Sequence, residues 1–122
     1  MKNLFSLVLF VLLLVTSVSA QEKKVAEKAK KNIKTEFFVN GVCGQCEKRI
    51  VSAALIKGVK TASWNRQTQI LKVIYNRKKT SIDLIHQSIA DVGHDTKLVK
   101  APDDVYGELP GCCMYRDGIE IH

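Results

Sequence analysis

The hydrophobic and polar positions from Lys34 onward switch between two periods. Thr35-Glu36-Phe37-Phe38-Val39 is β-branched and aromatic and predicts a first strand, closed by the turn pair Asn40-Gly41. From Cys46 to Leu55 the apolar Ile50, Ala53 and Ala54 fall on one stripe at helical spacing, and Lys57-Gly58 ends that helix. Val59 to Trp64 predicts a second strand and Asn65 to Gln69 a polar turn. Ile70 to Tyr75 predicts a third strand with Leu71, Val73 and Tyr75 on one side, so the short connection makes strands two and three a hairpin. Thr80-Ser81-Ile82-Asp83 opens a second helix with a hydroxyl cap and a carboxylate in its first turn. Its core face is Ile82, Ile85, Ile89 and Val92, and Gly93 stops it. His94 to Val99 predicts a short fourth strand.

Strand, helix, strand, strand, helix, strand is the order of two split βαβ halves. It predicts an α+β, ferredoxin-like sandwich over residues 34–100: a four-stranded antiparallel sheet with both helices on one face. Residues 101–122 follow as a polar tail containing Pro, Gly and two cysteines. Ahead of the domain, residues 21–33 form a Lys-rich leader with little apolar face. The first twenty residues read as a signal peptide. Lys2 is a positive start, Leu4 to Val15 an apolar run, and Val18 and Ala20 suit a cleavage site before Gln21. The run is shorter than the roughly 20 residues a spanning helix needs. The expected product is therefore a periplasmic or secreted protein from Gln21 to His122, with no integral membrane segment after cleavage.

Charge changes this picture little. The chain carries a formal +7. Much of the excess lies in residues 21–34, which hold six Lys against two Glu. That run reads as a solvated leader rather than a nucleic-acid face, and leaves attraction to acidic partners as its use.

The cysteines carry the chemistry. Cys43-Gly44-Gln45-Cys46 stands where the first strand hands over to the first helix. A helix N-terminus offers unpaired N–H groups and partial positive charge, which favour thiolates, and two intervening residues let both sulfurs meet at one point. Two soft thiolates suit Cu(I), and Hg(II) by the same softness, whereas Zn(II) wants about four ligands. Leu109-Pro110-Gly111-Cys112-Cys113-Met114 brings two thiols and a thioether together after a Pro-Gly turn. Cys112 and Cys113 are candidate further metal ligands, folding back on the first pair or forming a second site. The competing reading is a disulfide that pins the tail to the domain. Met114 reads as packing, and His86 and His122 as solvent-exposed.

Asn40-Gly41-Val42-Cys43-Gly44-Gln45-Cys46, Gly58-Val59, Val73-Ile74-Tyr75 and Ile89-Ala90-Asp91-Val92-Gly93-His94 together resemble the heavy-metal-associated domain family of copper chaperones, metal-pumping ATPase N-terminal domains and periplasmic mercury-binding proteins. The resemblance spans residues 34–100 and implies metal binding by Cys43 and Cys46. It also implies that His94, where the family usually has Tyr, lies beside the metal loop as a candidate third ligand. A metal-transporting membrane protein, or another metal-binding domain, is the implied partner, and the protein a monomer or a metal-bridged dimer. One departure is plain: the family often has Gly-Met-Thr or Gly-Met-Ser before the first Cys, and here Asn40-Gly41-Val42 stands instead.

A Cys-Gly-x-Cys pair between strand and helix is also a redox signature. Against a thiol-disulfide oxidoreductase, Gln45 stands where thioredoxins commonly have Pro, and Pro102 and Pro110 both fall in the tail. The third alternative is an interaction protein with oxidised cysteines and no metal. No triad, phosphate-cradling loop or carboxylate pair supports an enzyme. The sequence thus points to a non-enzymatic, exported copper(I) chaperone or scavenger that passes metal by thiolate exchange, with Hg(II) or Zn(II) as alternative cargo.

Overall fold

Three runs of β-branched and aromatic residues pair into one antiparallel sheet, in the order β1-β3-β2: β1 (Asn32–Phe38), β2 (Val59–Asn65) and β3 (Ile70–Asn76). The computed structural model describes residues 31–122; the expected signal peptide and residues 21–30 of the leader lie outside the described residues. Register aligns the inward positions: Phe37 faces Leu71, Thr35 faces Val73 and Ile33 faces Tyr75 on one side. Trp64 and Ala62 meet Leu71 and Val73 on the other. The alternate positions Lys34, Glu36 and Lys72 are exposed, as a sheet with one covered face requires.

Two helices supply the cover, α1 (Gly44–Ala54) and α2 (Ile82–Ala90). Ile50 and Ala54 of α1 and Ile85 and Ile89 of α2 join Phe37, Leu71, Val73 and Trp64 in one buried cluster. Fully burying a Leu or Ile side chain is worth about 1.5–3 kcal/mol, against about 1 kcal/mol net for a hydrogen bond. Ile50, Leu71, Ile85 and Ile89, all fully buried, therefore dominate what holds the layers together. Ser88 Oγ donates to the Ala53 carbonyl at 2.8 Å and fixes the two helices against each other. The hydroxyl cap of α2 forms as expected: Ser81 Oγ accepts from the Leu84 N–H at 3.3 Å. Ser81→Ala should cost about 1 kcal/mol, read as a lowered denaturant midpoint at unchanged slope.

The expected fourth strand is not there, and the sheet has three strands rather than four. Residues 94–99 begin to pair with the end of β1. The Asn40 N–H donates to the Asp95 carbonyl at 2.8 Å and the Lys97 N–H to the Phe38 carbonyl at 3.1 Å, around an isolated Val39–Thr96 bridge. Thr96 then turns the chain away. Its hydroxyl takes the Val99 N–H at 3.0 Å, and its own N–H donates to the Val99 carbonyl at 2.8 Å. A side chain that offers the backbone such local partners competes with the ladder. His86, expected at the surface, is buried instead: its ring stacks on Phe37 with centroids 3.8 Å apart, and Nδ1 pairs with Thr96 Oγ1 at 2.6 Å.

Beyond Lys100 the chain does not trail away. It forms a short helix, α3 (Asp103–Gly107), and two single 3₁₀ turns, Gly111–Cys113 and Tyr115–Asp117. Leu109, Cys113 and Tyr115 are buried in the main core cluster, with Met114 packed against it. Among the described residues, no helix is long and apolar enough to cross a membrane.

Candidate metal centre

The loop between β1 and α1 is fixed from several sides. The Val39 N–H donates to the Gln69 carbonyl at 2.9 Å, and the Gln69 side-chain amide donates to the Gly41 carbonyl. Trp64 Nε1 donates to the Val39 carbonyl at 3.1 Å. Gly41 is where the packing is tightest: a Cβ there would stand 3.0 Å from both Cys46 Cβ and the Trp64 ring. Val42 is buried and joins the core beneath the loop; Gly41 stands in the place the resemblance assigns to Met, with the Trp64 ring against it.

Cys43 caps α1 in an extended conformation and Cys46 lies in the first turn, so the helix start brings both sulfurs together at 3.3 Å. Both are buried, Cys43 with 4% and Cys46 with none of its surface exposed. Their proton affinities split. Burial pushes the Cys43 thiol up, but the N–H groups of Cys46 and Gln45 and the thiols of Cys46 and Cys113 more than offset it, leaving it at about 7. Burial dominates at Cys46, and the adjacent thiols of Cys113 and Cys43 add to it, so that group is pushed up to about 12. Cys43 is thus the thiolate ready near neutral pH, and Cys46 one that a metal must deprotonate.

The C-terminal segment closes on this pair. Cys113 Sγ lies 3.4 Å from Cys43 Sγ and Cys112 Sγ 3.9 Å from Cys113 Sγ. The sulfurs of Cys43, Cys112 and Cys113 all fall within 4.8 Å of one another. All four thiols are free. Cys112 is half-buried and, with Cys43, lines an open groove of about 910 Å³ beside Lys48, Arg66 and His122. His122 is exposed, as expected; its N–H donates to the Val42 carbonyl at 2.8 Å, and Arg66 Nη1 donates to its carbonyl at 3.1 Å.

His94 is fully buried and faces no sulfur directly. Nδ1 pairs with the Asn40 carbonyl at 2.8 Å, and a carbonyl can only accept, so that nitrogen carries the proton. Nε2 therefore presents its lone pair, 3.5 Å from Arg49 Nη1. Arg49 Nη1 in turn donates to Cys113 Sγ at 3.4 Å. Burial, with the Arg49 charge, holds the imidazole down at about 4 despite its bond to Asn40 and the nearby Asp95 carboxylate.

Three solved structures place this geometry. One described as CopZ metallochaperone matches with 29% identity over 52% of this chain and 98% of its own, at a TM-score of 0.50. The N-terminal domain of a potential copper-translocating P-type ATPase from Bacillus subtilis, in the Cu(I)-loaded state, matches with 29% identity over 61% of this chain and 95% of its own, at a TM-score of 0.52. Oxidized MerP from Ralstonia metallidurans CH34 shares the fold at 22% identity, over 54% of this chain and 94% of its own, with a TM-score of 0.51. The fold is thus similar to that of solved heavy-metal-associated domains. No protein-family model and no curated protein sequence matches the chain. The structures it resembles are of metal-binding proteins and domains rather than enzymes.

The predicted Cys43, Cys46, Cys112 and Cys113 come together at one end of this fold. His94 stands one residue back, behind Arg49. Sequence reasoning missed Arg49, whose only signal is its spacing of three from Cys46, which puts it on the same helix face. It also missed Arg116, Tyr115 and Tyr106, which hold the tail and carry no local pattern.

Proposed function

We propose that the protein is an exported copper(I)-binding chaperone or scavenger that holds its cargo at Cys43 and Cys46 and releases it by thiolate exchange. The observation that carries this reading is the Cys43–Cys46 pair, two buried sulfurs 3.3 Å apart at a helix N-terminus, with Cys43 already held toward the thiolate. Soft, low-coordinate ligation of this kind suits Cu(I). The 29%-identical structures described as a metallochaperone and as a Cu(I)-loaded ATPase domain support the choice of metal. Export rests on the first twenty residues, and places the protein in the periplasm or outside the cell. The partner is a metal-transporting membrane protein or a second metal-binding domain. Its acidic face would meet Lys48 and Arg66 at the groove, where its own thiolate reaches Cys43. Each exchange is a substitution at Cu(I): one thiolate arrives, one departs and takes a proton, and no electron moves.

The test is anaerobic titration of the reduced protein against a Cu(I)-selective chelator, with Hg(II) and Zn(II) in parallel. Cys43→Ser or Cys46→Ser should weaken Cu(I) binding at least about a hundredfold, roughly 2.7 kcal/mol, while the circular dichroism spectrum stays native. Unchanged affinity in either variant, or a wild-type protein that takes no copper from the chelator, sinks the reading.

A further inference from the structure

We infer that Cys113 is a third thiolate of the copper site and that Arg49 carries the charge this adds, so that the C-terminal segment is part of the binding site. This rests on the copper reading above. Geometry makes the first case. Cys113 is fully buried and its sulfur is 3.4 Å from that of Cys43, as close as Cys46 is on the other side. Sulfurs about 2.3 Å from a shared ion sit roughly 4 Å apart in a trigonal set, so the Cys43–Cys46 and Cys43–Cys113 pairs, now at 3.3 and 3.4 Å, would each widen as an ion is seated. Cys112 is different: it is half-buried and turned to the groove.

Charge makes the second case. Cu(I) with two thiolates carries one net negative charge, and with three it carries two. A buried uncompensated charge is costly. Arg49 Nη1, 3.4 Å from Cys113 Sγ, brings the three-thiolate set back to the charge of the two-thiolate one. The guanidinium is oriented in turn by His94, whose Nε2 lies 3.5 Å away and whose ring is fixed by the Asn40 carbonyl. Each thiol that forms a Cu–S bond gives its proton to solvent, and copper stays Cu(I).

The third case is that Cys113 is brought into place by contacts that need no metal. Arg116 makes a two-pronged bond to Asp95, Nε to Oδ2 at 3.0 Å and Nη2 to Oδ1 at 2.7 Å. It also donates to the Ala101 carbonyl at 2.9 Å and lies 4.2 Å over the Tyr106 ring. Tyr115 donates its hydroxyl to the Gly93 carbonyl at 2.7 Å and accepts the Asp95 N–H at 2.8 Å. Tyr115 and Arg116, two and three residues after Cys113, are therefore anchored to the turn that follows α2, and the ligand is preorganised.

The experiment is X-ray absorption at the copper edge on the full reduced chain loaded with one equivalent of Cu(I), with mass determined in solution. Wild type should show three sulfurs on a monomer, Cys112→Ser three, and Cys113→Ser two. Arg49→Gln should retain the fold and weaken binding about 10- to 100-fold, and should have much less effect when Cys113 is already Ser. Two sulfurs in wild type, or a third that survives Cys113→Ser, overturns this inference while leaving the Cys43–Cys46 site standing. A wild-type chain that binds no copper removes the underlying reading as well.

Discussion

Gly93→Ala is expected to destabilise the domain by about 2–4 kcal/mol and to release the C-terminal segment from the metal loop. Gly93 has φ +104°, a conformation that residues with a Cβ rarely adopt. Strain of that kind costs about 1–3 kcal/mol. Space is the second cost: an added Cβ would stand 3.0 Å from Leu109 Cδ2 and 3.1 Å from Leu109 Cγ. Overpacking of a filled core adds about 1–3 kcal/mol, and the two costs overlap because one small backbone shift relieves part of both. Two contacts of the tail meet at this residue, since its carbonyl also accepts the Tyr115 hydroxyl at 2.7 Å. Chemical denaturation would read the stability loss, and a thiol reagent should label Cys113 faster in the variant. An unchanged midpoint with Cys113 still protected would show that neither the backbone conformation nor the Leu109 contact matters to the fold.

The metal-free domain should also lose stability on mild acidification. His94 is buried neutral, with its folded pKa held at about 4 against an ordinary 6.5. The unfolded chain therefore binds the extra proton between those values. The stabilising contribution is fully present above pH 6.5 and is lost as pH falls toward 4, at up to about 1.4 kcal/mol per pH unit and on the order of 3 kcal/mol in all. Burial lowers His86 as well, despite Asp83 nearby, and acts with the same sign. Asp95 has its own, lower window. Burial raises its pKa, but the bonds from Arg116 and the Ala101 N–H outweigh that and lower it below the ordinary 3.8. Its contribution is present above that value and falls only as pH drops through the folded one. The Asp95–Arg116 clamp should thus outlast the histidines. Denaturant midpoints from pH 7 to 4.5 should fall in wild type and more shallowly in His94→Gln. Parallel profiles for the two proteins would mean that His94 does not carry the acid response.

What was legible in the sequence is what short-range periodicity encodes. Alternation of Leu71, Val73 and Tyr75 fixed β3, the hydroxyl of Ser81 fixed the start of α2, and the Ile85–Ile89 stripe fixed its buried face. The strand expected over residues 94–99 does not form, because the deciding bonds are those of the Thr96 hydroxyl to its own backbone neighbours. His86 was read as polar and outward. Its burial depends on Phe37, a partner forty-nine residues earlier in the chain, which offers a ring to stack on. Cys43 and Cys46 were legible as a pair because they share one helix turn. Their meeting with Cys113 depends on Arg116 reaching Asp95 across twenty-one residues, and no local pattern announces such a contact.

The chain contains one tryptophan, and the fold has put it to use. Trp64 is buried against the turn that carries Cys43 and Cys46: its indole N–H holds the Val39 carbonyl, and its ring fills the space beside Gly41. The emission of an indole follows the polarity and rigidity of its surroundings. Any event that loosens or tightens the cysteine turn therefore acts on a single intrinsic fluorophore. The protein brings its own optical gauge of that turn, free of background from any second tryptophan.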